Sequence, residues 1–196
     1  MPLLALTSAL ALVPRLPESR TAFACTLCAL GFGCIGDILL LSVSEKRFMA
    51  GALSFFAGHI FWIVQYVFSP NGTSAYASGG RMFFPLALIC FICYGIVLAS
   101  TYVLLGKPKG VMGGGVIAYG GILCAPNFTA INAVVNGING KASLFYLAGS
   151  ILFFISDGIL SYTVFKKDIP HSRFIIMITY IAAQALLAAG CVLPYI

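Results

Sequence analysis

The chain has 196 residues, 61% of them hydrophobic and 8% charged, with a net charge of +6 and a mean hydropathy of +1.04. A soluble domain carries about 25% charged residues, so a water-soluble globule is excluded: too little polar surface exists to cover its core. The basic residues fall between apolar runs and form no face interleaved with aromatics, which argues against nucleic acid as a partner and leaves the lipid bilayer as the solvent that suits this chain.

Seven apolar runs follow one another, at about 1–13, 21–43, 48–68, 83–105, 110–136, 143–165 and 172–194. They predict an all-α, polytopic transmembrane helical bundle of about seven helices, a single domain over 1–196. The first run ends at Pro14 and would span only about 20 Å as a helix, so it reads as a short or truncated first span. The second carries Gly36-Asp37, and the third carries His59 and then Trp62, Tyr66 and Phe68, which read as an aromatic belt near the outer surface. The fifth holds Gly113-Gly114-Gly115, Gly120-Gly121 and Pro126, and is expected to be broken or closely packed. The sixth carries Ser150 and Asp157, and the seventh Tyr180 and Gln184.

The connectors at 44–47, 105–110 and 165–173 alternate with the others and hold seven Lys/Arg against four on the opposite side. That bias predicts that their side is cytoplasmic, with the start of this chain inside and its end outside. The longest connector, about 69–80, is rich in Gly, Ser and Asn; its Asn71-Gly72-Thr73 matches a glycosylation tripeptide, which chance explains equally well. All seven cysteines lie inside apolar runs, are odd in number, and read as free thiols packing as small apolar side chains.

Only five acidic residues occur. Glu18, Glu45 and Asp168 lie in connectors beside basic residues and read as solvated charges. Asp37 and Asp157 lie deep inside apolar runs, where a carboxyl costs several kcal/mol and marks a functional site by default. Asp37 precedes Glu45 by eight residues and Asp157 precedes Lys166 by nine, which places both about 12–14 Å below the same membrane face. Two helices can therefore bring them together, and two carboxyls meeting in hydrocarbon cannot both stay ionised. His59, Tyr119, Tyr180 and Gln184 lie at comparable depth, about 10–18 Å from their basic helix ends. Tyr180 and Gln184 share a helix face, as do Ser150, Asp157 and Ser161, so together they predict a polar pocket opening toward the cytoplasmic leaflet. The alternative for Asp37, which follows Gly36, is a plain helix–helix hydrogen bond; for the tyrosines it is interior packing with a bonded hydroxyl.

At these residues the chain resembles the YhhN-like lysoplasmalogenase family. Gly36-Asp37 before a basic turn, followed by Phe48, Gly51, Phe55 and His59, resembles one family signature. Leu147-Ala148-Gly149-Ser150, Phe153 and Ser156-Asp157 resemble a second, and Tyr180, Ala183 and Gln184 a third. The resemblance covers most of the chain from about residue 20. It implies a small membrane protein, usually of eight helices, that cleaves the vinyl-ether bond of lysoplasmalogens, releasing a fatty aldehyde and a glycerophospho-head-group alcohol.

That chemistry suits the residues. Vinyl ethers hydrolyse by proton transfer to carbon, giving an oxocarbenium ion that water captures. The reaction needs one carboxyl in its acid form and a nearby anion to stabilise the cation, as in glycosidases. Asp37 and Asp157 are therefore the expected catalytic pair, in either order. His59, Tyr119, Tyr180, Gln184 and Ser150 are expected to orient the carboxyls or bind the phosphate and glycerol hydroxyls of a lysophospholipid. No cofactor or metal is expected, since no ligand cluster stands in the sequence. Two other functions use buried aspartates: an intramembrane aspartyl protease and a proton-coupled transporter of a small solute. Against the first, Asp37 is preceded by Cys34-Ile35-Gly36 rather than a Gly-x-Gly. Against the second, the chain shows no repeated halves. The short connectors favour a bacterial inner membrane over an internal eukaryotic one.

Overall fold

The computed structural model describes residues 1–15, 19–41, 45–69, 83–167 and 169–196. Seven α-helices occur among them: α1 (Pro2–Leu12), α2 (Arg20–Leu40), α3 (Glu45–Val67), α4 (Phe83–Leu104), α5 (Gly110–Val135), α6 (Lys141–Phe165) and α7 (Ser172–Val192). No strand is present among the described residues. Glu18, Asp168 and the Asn71 tripeptide lie outside them.

Helices α2 to α7 are long and apolar enough to cross a bilayer. Their outward surface is apolar, with Ile38, Leu53, Phe91, Ile96, Phe174 and Ile181 all exposed. Such a surface is stable only against lipid, and the chain is a multi-pass integral membrane protein. Helix α1 has 11 residues, about 16 Å, and does not reach across. It packs on α2 and α7, with Leu12 buried against Ala22, Val192 and Tyr195.

Between helices in lipid there is little hydrophobic drive, so close backbone approach and buried polar bonds hold them together. Two antiparallel hairpins pack most closely, α2 with α3 and α6 with α7. In the first, a Cβ on Gly58 would lie 3.1 Å from the Ala29 carbonyl oxygen. In the second, a Cβ on Gly149 would meet the Leu187 nitrogen at 2.7 Å and the Ala183 oxygen at 2.9 Å. Helix α5 closes the ring between α3 and α6, while α4 leans mainly on α5 at the periphery. Across the ring the buried Gln65 joins three helices. It accepts from the Thr26 hydroxyl at 2.8 Å and donates to the Cys191 carbonyl at 2.9 Å.

Three expectations change. The fifth run does not break: α5 continues for 26 residues through Pro126. Around the proline, side chains donate to backbone carbonyls, Asn127 to Leu123 at 3.1 Å and Thr129 to Ala125 at 2.6 Å, which is how membrane helices tolerate proline. Two of its glycines do pack closely, Gly115 against Met49 and Gly120 against Leu98, whereas Gly114 and Gly121 meet nothing within 4 Å. The aromatic belt is also corrected. Trp62 and Tyr66 are fully buried and only Phe68 is exposed, because residues 55, 59, 62 and 66 fall on the inward face of α3. Tyr66 stacks on Tyr146 with ring centroids 4.0 Å apart. Finally, Glu45, Lys46 and Arg47 belong to the first turn of α3 rather than to a loop. The seven cysteines are free thiols, with Cys25, Cys90, Cys124 and Cys191 buried and Cys93 exposed.

Candidate active site

The α2–α3 crossing sets the position of the first carboxyl. Gly36 leaves room for the Phe55 ring, which a Cβ there would meet at 2.7 Å. Asp37 is the next residue along α2 and is half-buried. The Tyr180 hydroxyl of α7 stands beside its carboxyl, admitted by Gly33, whose Cβ would lie 3.2 Å from that oxygen.

The second carboxyl comes from α6. Asp157 is 4% exposed, and its Oδ2 accepts a hydrogen bond from the Tyr119 hydroxyl of α5. Its neighbour Ser156 donates to the Ile176 carbonyl at 3.2 Å, tying this turn of α6 to α7. Asp157 and Asp37 are close enough to feel each other's charge, with Tyr180 near both. The two carboxyls, matched in depth in the sequence, thus interact across the bundle through their charge.

An aromatic wall covers the pair on the side away from the basic end. Phe55, Phe153 and Tyr180 meet edge to face, with centroids 5.5 to 6.2 Å apart. The His59 ring stands edge-on to Phe153 at 4.3 Å. Its Nδ1 lies 2.8 Å from the Phe55 carbonyl oxygen; a carbonyl can only accept, so Nδ1 carries a proton. Gln184 forms the next tier, its Oε1 accepting from the Trp62 indole at 3.3 Å.

A cavity of about 330 Å³ lies between α3, α4, α5 and α6. Its wall is apolar except for Asp157, Tyr119, Thr101 and Ser161. Asp157 and Tyr119 therefore face the cavity, whereas α2 and α7, which carry Asp37 and Tyr180, contribute nothing to its wall.

Of the expected site residues, Asp37, Asp157, Tyr119 and Tyr180 form one cluster, with His59 and Gln184 above it. Ser150 does not join them. It lies seven residues from Asp157 toward the far membrane face, about 10 Å along α6. There its hydroxyl is bonded to the Leu147 carbonyl at 2.9 Å and to Asn127 Oδ1 at 3.2 Å. Asn127 and Gln65 are buried polar partners that the sequence reading did not single out, and Trp62, read there as a belt residue, is a third. An amide inside an apolar run was the available signal for the first two.

The sequence model of the YhhN family matches residues 1–191. Over 159 residues the chain is 29% identical to the human protein named lysoplasmalogenase TMEM86B, covering 81% of this chain and 59% of that one. The mouse protein of the same name is 30% identical over the same shares. The bovine protein named lysoplasmalogenase TMEM86A is 28% identical over 82% of this chain and 62% of its own. The chain thus spans about three-fifths of the length of these curated relatives. No solved structure matches it.

Proposed function

The chain belongs to the YhhN family, and from that premise we propose that it hydrolyses the vinyl-ether bond of lysoplasmalogens by acid catalysis. The observation that carries the reading is the wall of the α3–α6 cavity: one buried carboxyl with a bonded tyrosine and two hydroxyls on a mostly apolar surface, and a second carboxyl close enough to interact with it. The names of the curated relatives point to the same substrate.

In this reading the alkenyl chain occupies the apolar cavity and the ether oxygen lies at Asp157. Asp157 in its acid form protonates the vinyl carbon that is not bonded to oxygen, because it is the carboxyl that reaches the cavity. The oxocarbenium ion forms beside the new Asp157 carboxylate, and the charge of Asp37 stabilises it from behind. Water adds to the cationic carbon and returns its proton to Asp157. The hemiacetal then breaks into a fatty aldehyde and the glycerophospho alcohol. Tyr119 and Tyr180 orient the two carboxyls. The aromatic wall of Phe55 and Phe153 excludes water from the far side. With its short connectors the chain suits a bacterial inner membrane, and the excess of Lys/Arg at the basic end puts that end in the cytoplasm.

Purified protein in lipid nanodiscs is given lysoplasmenylethanolamine, a saturated lysophospholipid and a transmembrane peptide. Aldehyde is expected from the first alone, and in D2O its carbon next to the carbonyl should carry one deuterium from the solvent. Asp37→Asn and Asp157→Asn are each expected to abolish release while the protein stays folded. Full activity in Asp157→Asn, or peptide cleavage in place of aldehyde release, refutes the proposal.

A further inference from the structure

The polar residues of the cavity are ordered along its length. Asp157 and Tyr119 lie midway. Ser161 follows Asp157 by one turn of α6, about 6 Å nearer the basic end. Thr101 faces the same space from the last turn of α4. At the mouth, beyond Leu105 and Phe165, the Lys166 ammonium folds against Gly106, whose Cβ would lie 2.9 Å from Nζ. Toward the membrane centre the wall is apolar.

The two hydroxyls differ from several others in these helices. Thr129, Ser143, Thr163 and Thr179 each return the hydroxyl to a carbonyl three or four residues back, at 2.6 to 2.8 Å. This is the usual resting place of a hydroxyl in a membrane helix. Among the described residues, neither Thr101 nor Ser161 is spent in this way, although both face an apolar cavity. A hydroxyl on an apolar wall is favoured by a partner, and an occupant of the cavity can supply one.

From this order we infer that Ser161 and Thr101 are specificity residues for the free sn-2 hydroxyl of a lysolipid, and that Lys166 binds its phosphate. The head group then points to the basic end and the chain to the membrane centre. The inference rests on the lysolipid reading of the cavity and adds orientation and head-group selection to it. A glycerophospholipid carries cation-binding phosphate, hydroxyl, ether and chain in that sequence, and the cavity presents ammonium, hydroxyls, carboxyl and apolar wall in the same sequence. An acyl group at sn-2 would remove the donor and fill the space that the two side chains border, so a diacyl-type lipid is excluded.

The test measures binding with probes that cannot be hydrolysed. They are a saturated ether lysophosphoethanolamine, its sn-2 deoxy analogue and the corresponding alkylglycerol without phosphate, each titrated into protein in nanodiscs. Wild type should bind the hydroxylated probe about tenfold more tightly than the deoxy one, the scale of one or two hydrogen bonds. The Thr101→Val, Ser161→Ala double variant should lose that preference and bind the deoxy probe as wild type does. Lys166→Gln should weaken both phosphate probes and leave the alkylglycerol unchanged. Unfolding midpoints equal to wild type establish that the variants are folded. Equal affinity of wild type for the hydroxylated and deoxy probes, a preference that survives in the double variant, or failure to bind the ether lysolipid overturns the inference. Unchanged phosphate binding in Lys166→Gln overturns the orientation. Aldehyde release by a wild type indifferent to the hydroxyl sinks this inference alone. Hydroxyl preference without aldehyde release sinks the proposed reaction and leaves the subsite standing.

Discussion

Replacing Tyr119 by Phe tests the catalytic geometry with the smallest change of shape. The substitution deletes one oxygen and keeps the ring that lines the cavity. That oxygen donates to Asp157 Oδ2, so Asp157 loses a donor inside a wall that offers little else to replace it. In the proposed reaction Asp157 gives up its proton, so charge grows on the oxygen that Tyr119 holds and the bond strengthens toward the transition state. Its loss therefore falls on kcat more than on KM. A hydrogen bond to a charged group contributes about 1.5–3 kcal/mol, and each 1.36 kcal/mol is about tenfold in rate. The expected fall in kcat is thus roughly 10- to 150-fold. Aldehyde release from lysoplasmenylethanolamine, followed over a range of substrate, gives both constants. Tyr94→Phe on the peripheral α4 controls for loss of a membrane tyrosine hydroxyl and should change neither. A Tyr119→Phe protein with kcat within twofold of wild type would refute the reasoning.

Three further expectations concern the scaffold. Gly149→Ala drives a methyl into the backbone of α7, with contacts of 2.7 and 2.9 Å; overpacking of this kind costs about 1–3 kcal/mol, so the unfolding midpoint in detergent should drop. Gly158→Ala, where a Cβ meets nothing within 4 Å, should leave it unchanged, and equal midpoints would contradict the close α6–α7 approach. Trp62→Phe removes the indole donor to Gln184 and should lower stability by about 1 kcal/mol; an unaffected midpoint would return Trp62 to the membrane surface. Ser150→Ala should cost stability on a similar scale through its lost bond to Asn127, yet leave kcat within about threefold, the margin expected of a residue about 10 Å from Asp157. A hundredfold loss of kcat would place Ser150 in the reaction.

Much of this protein is legible in its sequence, and for one reason. Lipid demands about 20 apolar residues per span, so the six long helices stand out as runs. The same cost makes a carboxyl inside such a run conspicuous, which singles out Asp37 and Asp157. Counting residues from the basic ends also places the two carboxyls, Tyr119 and Tyr180 at one depth, because the rise of a helix is constant. Depth alone does not bring groups into contact, and the identity of each helix's neighbours is absent from the count.

Tertiary structure decided which face of each helix is inside. In water an apolar stripe marks the buried face. In lipid both faces are apolar, so Leu53, exposed, and Leu30, buried, look alike in the chain. That is why Trp62 and Tyr66 read as belt residues until packing turned them inward. It is also why Ser150, on the same α6 face as Asp157, bonds Asn127 and takes no part in the cavity wall. The placement of Asp157 on the cavity wall and of Asp37 away from it follows from which helices border the cavity, α3 to α6 and not α2 or α7. Composition sets what dissolves in the membrane; only the packing of helix on helix sets which carboxyl meets the cavity.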